Sequence, residues 1–169
     1  MTGHSRPVII AVMQITRDYV YAGEIGETIE QMFETMTRAA EAHPSCRILE
    51  NTPLDDGGHR FATEVRIGDI PEQAGKLLGS DTFSWRETCV WNPEKKEWIF
   101  ETFNRFSPKY YRCHGRISCT EQAADRTKIH YAVSLEIHLP LLGKSLEKII
   151  AERMKSNWDA QHGRAIKTL

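Results

Sequence analysis

The sequence predicts an α+β fold: a seven-stranded antiparallel curved sheet gripping a long C-terminal helix, with two short helices after the first strand. Three observations predict it. The C-terminal stretch HLPLLGKSLEKIIAERMKSNWDAQHGRAIKTL repeats apolar residues at helical spacing (Leu142, Leu146, Ile149, Ile150, Met154, Trp158, Ile166). A charged stripe of Lys144, Lys148, Glu152, Lys155 and Asp159 runs opposite, and Lys148–Glu152 and Lys155–Asp159 stand at the i,i+4 spacing of supporting ion pairs. Upstream, most segments alternate apolar and polar residues with the period of half-buried strands, so their common apolar face must be covered, and the helix is the element available to cover it.

Taken in order, residues 1–7 read as a lead-in and 8–169 as one domain. The β-branched and aromatic content from Val8 to about Tyr21 predicts the first strand. In GEIGETIEQMFETMTRAAEAHP, Ile25, Ile29, Met32, Phe33, Met36 and Ala40 share one helical face and Pro44 stops the run. Thr37 is placed to cap a second short helix at Arg38–Ala42. Cys46–Asn51 reads as a strand, and TPLDDGGH as a turn with Gly57 and Gly58 available for left-handed backbone. In Arg60–Ile67, Phe61, Thr63, Val65 and Ile67 face one way and Arg60, Glu64 and Arg66 the other. Ile70–Gly79 fits a loop or a short helical turn equally.

The hairpin of Thr82–Trp91 and Glu97–Phe103 around NPEKKE carries the most information. A loop of even length centred on Glu94–Lys95 pairs Trp91 with Trp98, Cys89 with Phe100, Glu87 with Thr102, Trp85 with Asn104 and Phe83 with Phe106. That register gathers the aromatics on one face and leaves Arg86, Thr88, Glu101 and Arg105 on the other. Tyr110–Thr120 and Arg126–His138 are the last two strands, and Ile129, Tyr131, Val133, Leu135 and Ile137 form the apolar face of the second. Pro140, which lacks the N–H a strand or helix interior needs, separates that strand from the final helix.

Composition sets bounds on function. At 169 residues, 40% hydrophobic and 27% charged, the chain has enough apolar material for a core without metal or disulfide staples. A net charge of −1 excludes broad electrostatic binding to nucleic acid or to an anionic membrane. The apolar run VIIAVM is too short for a membrane span and precedes polar alternation rather than a small-residue cleavage site. Cys46, Cys89, Cys113 and Cys119 lack scaffold spacing and are expected as reduced thiols in a cytoplasmic protein.

With this element order in hand, two stretches carry a family resemblance. ITRDYVYAGEIGETIEQMFETMT looks like the strand-then-helix opening of the START-like (SRPBCC, helix-grip) superfamily, which includes polyketide cyclases, lipid-transfer domains and pollen-allergen-like proteins. LPLLGKSLEKIIAERM is similar to the proline–glycine–lysine start of the last helix in a bacterial subfamily of unknown function. The resemblance runs from about Val8 to Ile166. It implies an apolar ligand in a cavity under the last helix and transfers no catalytic residue, because neither stretch is catalytic.

HLPLLGKS ends like a phosphate-binding loop, but His138 stands where the leading glycine is required, so a nucleotide cofactor is not expected. Cys113 and His114 point to opposite strand faces, and His130 and His138 lie roughly 26 Å apart along one strand at ~3.3 Å per residue. Only Glu136 and His138 can share an ion, and two ligands do not make a metal site. Arg105, Lys109, Arg112 and Arg116 alternate with Phe106, Tyr110 and Tyr111 in a stretch free of acids; with near-zero net charge this reads as an outer strand face meeting carboxylates such as Glu97 or Glu101. Glu87 shares its face with Trp85, Cys89, Trp91, Phe100 and Thr102, where a carboxyl would have a raised pKa and could serve as a general acid or base.

The leading functional reading is a hydrophobic small molecule or lipid held between the curved sheet and the C-terminal helix. Its expected wall is Phe61, Val65, Phe83, Trp85, Trp98, Phe100, Ile117, Tyr131 and Val133 on the strands, with Met154 and Trp158 on the helix. Two alternatives stand beside it. One is a polyketide cyclase or dehydratase-like enzyme in which Glu87, Tyr131 or Asn104 polarises a bound carbonyl. The other is a protein-interaction module with a filled cavity, presenting the basic–aromatic strand.

Overall fold

A computed structural model describes residues 12–67, 76, 83–104, 111–138 and 143–163. The chain runs β1 (Met13–Ala22), α1 (Ile25–Ala42), β2 (Cys46–Pro53), β3 (His59–Ile67), β4 (Phe83–Asn92), β5 (Glu97–Asn104), β6 (Tyr111–Ala123), β7 (Arg126–Ile137) and α2 (Gly143–Gln161). Residues 1–11, the 70–79 segment apart from Lys76, Arg105, Phe106, Lys109, Tyr110, Pro140, Leu142 and Ile166 lie outside the described residues.

The seven strands form one antiparallel sheet in the order β1-β7-β6-β5-β4-β3-β2. All consecutive strands from β2 to β7 are neighbours, whereas β1 crosses to the far edge and pairs with β7. The hairpin register is the one the even loop dictates, with Trp91 opposite Trp98, Cys89 opposite Phe100, Glu87 opposite Thr102 and Trp85 opposite Asn104. The turn keeps its length because Asn92 Oδ1 accepts the Lys95 N–H at 2.9 Å and Lys96 takes a left-handed φ of 52°. Between β2 and β3, Gly57 takes φ 78°, as the turn requires; Gly58 instead serves close approach, since a Cβ there would stand 2.9 Å from the Trp91 carbonyl oxygen.

One helix, not two, follows β1. Ile25–Ala42 is continuous over 18 residues, and Thr37 lies inside it rather than capping a second start. Nothing between Ile25 and Ala42 breaks the ladder, and one apolar face spans the length: Ile25, Ile29, Phe33 and Met36 pack beside buried Met32 and Ala40. Phe33 plants this face on the sheet, with its ring 5.3 Å from Trp98 and 4.9 Å from His59.

α2 lies mainly against β7, with Leu146, Ile150, Met154 and Trp158 packed on the core and Ala151 buried. Ile149 is 54% exposed, because a stripe advancing four residues at a time leaves it on the flank. The charges also distribute differently from the expected i,i+4 pairs. Lys155 binds Glu152 at 3.2 Å, and Asp159 turns to Arg17 at 3.6 Å. At the start of the helix, buried Glu147 accepts the Ile137 N–H at 3.0 Å through Oε1 and pairs with Lys144 at 2.9 Å through Oε2. Gly143 permits this approach; a Cβ there would sit 2.3 Å from the Ile137 carbonyl oxygen. The helix is thus pinned at one end to the last residue of β7 and at the other to β1.

On the convex face the charges pair both across strands and, for Arg66 with Glu64, along β3. Arg47 and Arg66 meet Glu64 at 3.4 and 3.6 Å, and Arg116 meets Glu97 at 3.8 Å. Arg116 therefore belongs to a cross-strand pair of the kind its neighbourhood suggested. Such exposed pairs contribute about 0.2–1 kcal/mol each. The core is on the opposite, concave face.

Candidate functional site

The site is built where α1, β1, β7 and the last turn of α2 meet. Period-two alternation on β1 turns Arg17, Tyr19 and Tyr21 toward α2, and the β1–β7 register sets Arg17 opposite Tyr131 and Tyr19 opposite Ile129. The stripe of α2 continues at intervals of four from Leu146, Ile150, Met154 and Trp158 to His162, just past the helix end. That spacing carries the imidazole inward, and His162 is only 5% exposed.

Both ring nitrogens of His162 find phenols: Nδ1 contacts Tyr21 Oη, and Nε2 contacts Tyr131 Oη at 2.6 Å. Tyr19 stacks on the imidazole with ring centres 4.1 Å apart and donates its own O–H to Asp159 Oδ1 at 2.6 Å. Trp158 lies against the Tyr131 ring at 4.6 Å. Burial holds the His162 pKa down at about 4, with the Asp159 charge opposing the shift, so the imidazole is neutral at physiological pH. Burial pushes the Tyr21 phenol up to about 12 and that of Tyr131 well above its ordinary value. A base this weak is poorly matched to abstracting protons at neutral pH, whereas a neutral imidazole bridging two phenols orients hydrogen bonds well.

These groups open on a cleft of about 350 Å³ between α1 and the end of α2. Met32 and Met36 supply an apolar wall, Tyr21, Tyr131 and His162 line the sheet side, and Gln31, Glu34, Thr35 and Arg38 stand along α1. The volume falls at the lower end of the roughly 300–1,000 Å³ typical of small-molecule clefts. A more open groove of about 420 Å³ on the other flank of α1 is lined chiefly by Glu34, Thr37, Arg38, Glu41, Asn51 and His59, with Phe33, and lacks a comparable apolar wall.

Of the residues expected to form a ligand wall, Tyr131 lines the first cleft and Trp158 backs it. Phe61, Trp98, Phe100, Ile117 and Val133 are buried in the core, while Val65, Trp85 and Met154 are half-buried on the same concave side. Phe83 begins β4 and Asn104 ends β5; their side chains lie outside the described residues. Tyr19, Tyr21 and His162 were not among the sequence candidates, although the two tyrosines share a face of β1 and His162 continues the helical stripe.

Glu87 is not among the residues that line this cleft and stands in the cross-sheet row Ile48–Thr63–Glu87–Thr102–Cys113–Leu135. Thr102 Oγ1 donates to the Cys113 carbonyl oxygen at 3.0 Å. Glu87 is half-buried, and desolvation raises its pKa above the usual carboxylate range. Its field raises the buried Cys89 and Cys113 thiols further, after burial itself, with Cys113 reaching about 12. Three of the four cysteines are buried and all are free thiols. No helix among the described residues is long and apolar enough to cross a membrane.

A curved antiparallel sheet wrapped on a C-terminal helix, with a cleft at their junction, is the helix-grip architecture of the START-like (SRPBCC) class. The chain belongs to the family described as protein of unknown function (DUF2505), whose model matches residues 26–167. No curated protein is close enough in sequence to count as a relative. Among solved structures, the Zhui aromatase/cyclase from Streptomyces sp. R1128 matches with a TM-score of 0.58 at 9% identity, over 90% of this chain and 93% of that one. A START superfamily protein from Mycobacterium smegmatis matches with a TM-score of 0.55 at 16% identity, over 91% and 97%. Norcoclaurine synthase from Thalictrum flavum matches with a TM-score of 0.52 at 11% identity, over 96% and 93%. At such identities the likeness is one of fold.

Proposed function

We propose that this protein binds an apolar small molecule in the cleft between the concave sheet face, α1 and the end of α2. The observation that carries the reading is the cleft of about 350 Å³ in which the Met32–Met36 wall faces a converging Tyr21–His162–Tyr131 group. An apolar wall with a few fixed polar groups is the general composition of a ligand site. Its placement in a helix-grip fold, a class that includes a protein titled aromatase/cyclase and one titled norcoclaurine synthase, is consistent with a small-molecule occupant. The lowered basicity of His162 favours holding a ligand over acid–base turnover. Burying ~200 Å² of apolar ligand surface at ~25 cal/mol/Å² contributes about 5 kcal/mol before the costs of association, which suffices for measurable affinity.

Trp158 supplies the test, since its ring abuts Tyr131 at the cleft. Titration with a panel of fatty alcohols, sterols and aromatic polyketide mimics is expected to change tryptophan emission saturably and raise the melting temperature. In Trp158→Phe the emission change should shrink while the thermal stabilisation persists. A panel that produces neither saturable emission change nor stabilisation would remove the proposal.

A further inference from the structure

We infer that the cleft selects ligands presenting an uncharged oxygen acceptor, such as a ketone carbonyl, to the Tyr21–His162–Tyr131 chain. This rests on reading the cleft as a ligand site and adds the chemical class of its occupant.

The inference comes from counting protons. A neutral imidazole carries one N–H, and the two phenols carry one O–H each, so three hydrogens serve the group. Two contacts consume two of them: one phenol donates to the bare ring nitrogen, and the other accepts from the ring N–H. Whichever tautomer holds, the accepting phenol keeps an O–H with no imidazole partner. Tyr19 turns its hydroxyl to Asp159 at 2.6 Å, and among the described residues neither bridging phenol is hydrogen-bonded to it. Both bridging tyrosines line the cleft, so the surplus O–H belongs to a residue facing the guest. A ligand oxygen placed at that O–H would give the donor a partner inside the cleft.

Charge then narrows the acceptor. The carboxylates nearby are already paired, Asp159 with Arg17 at 3.6 Å and Glu34 with Arg38 at 3.7 Å, so a carboxylate guest meets no uncommitted cation among the described residues of the cleft lining. The one guanidinium among them, Arg38, is exposed like its partner Glu34, and water screens both. An ammonium guest would bring further donors to a group that already has one to spare. A neutral carbonyl oxygen, with Met32 and Met36 against its hydrocarbon body, fits both the donor count and the field.

A matched series separates this from the reading it rests on: methyl heptyl ketone, nonane, nonanoate and nonylamine, titrated against the full-length protein at neutral pH. The ketone is expected to bind about tenfold tighter than nonane and tighter than either ion. With carbon-13 at the carbonyl, the infrared band of the bound ketone should move to lower wavenumber than in hydrocarbon solvent, and Tyr21→Phe should displace it again. This readout needs no variant to show the hydrogen bond, so a poorly folding Tyr21→Phe leaves the wild-type result decisive. If nonane binds as tightly as the ketone, if an ion binds more tightly, or if the band stays at its hydrocarbon position, the inference falls while apolar binding stands. If no member of the series binds, both fall.

Discussion

Removing residues 143–169 is expected to abolish cooperative folding. α2 covers β7, and its loss would uncover Tyr131, Val133, Leu135 and Ile137, each 7% exposed or less in the intact chain. At about 1.5–3 kcal/mol for each large apolar side chain, the loss approaches the whole stability of a domain, about 5–15 kcal/mol. The truncation also removes the Glu147 carboxylate that satisfies the Ile137 N–H and the Asp159 carboxylate that accepts from Tyr19. Urea denaturation followed by circular dichroism should show no sharp transition, and the protein should aggregate. A truncated monomer that melts sharply would contradict the role assigned to the helix.

The second large effect is acid sensitivity written into His162. In the folded chain its pKa is held at about 4, below the ordinary 6.5. Between those values the unfolded chain binds the additional proton, so stability rises with pH there. The contribution is fully present above pH 6.5 and is lost as pH falls toward 4, a change of about 3 kcal/mol. Glu87 acts with the opposite sign. Its folded pKa is raised by burial above 4.5, so its contribution is present below that value and is lost as pH rises through the folded pKa. Because the two windows overlap, the wild-type profile alone can look flat. The differences between chains are informative: His162→Gln should lose, relative to the wild type, the contribution that grows between pH 4 and 6.5, and Glu87→Gln should stabilise the protein increasingly toward neutral pH. Denaturation midpoints that change with pH identically in all three proteins would contradict both assignments.

The fold was largely legible because its signals are short-range. The hairpin register follows from the even length of NPEKKE, and the inward faces of β3 and β7 follow from alternation alone. The join between two supposed helices was misread because Thr37 offers a cap only where the chain leaves the helix, and a continuous apolar face from Ile25 to Ala40 gives it no reason to leave. The cleft was far less legible. It brings together β1, α1, β7 and the end of α2, with Tyr21 and His162 separated by 141 residues, and no local pattern encodes that meeting. One signal was available: four-residue steps from Leu146 lead to His162, whereas continuing the stripe to Ile166 steps over it. A histidine in an apolar stripe, on an element that must dock, warrants a search for aromatic hydroxyls on the strands beneath. The aromatic hairpin is the stronger local pattern, and most of its rings serve the core.

Native mass spectrometry of the wild type and Met36→Trp, each incubated with the best ligand of the fluorescence panel, tests the binding site most directly. Met36 lines the cleft, and an indole in its place would fill much of the available volume. One ligand per wild-type chain and none on a folded Met36→Trp is the predicted result. Equal occupancy of both proteins, or none on either, would contradict binding in this cleft.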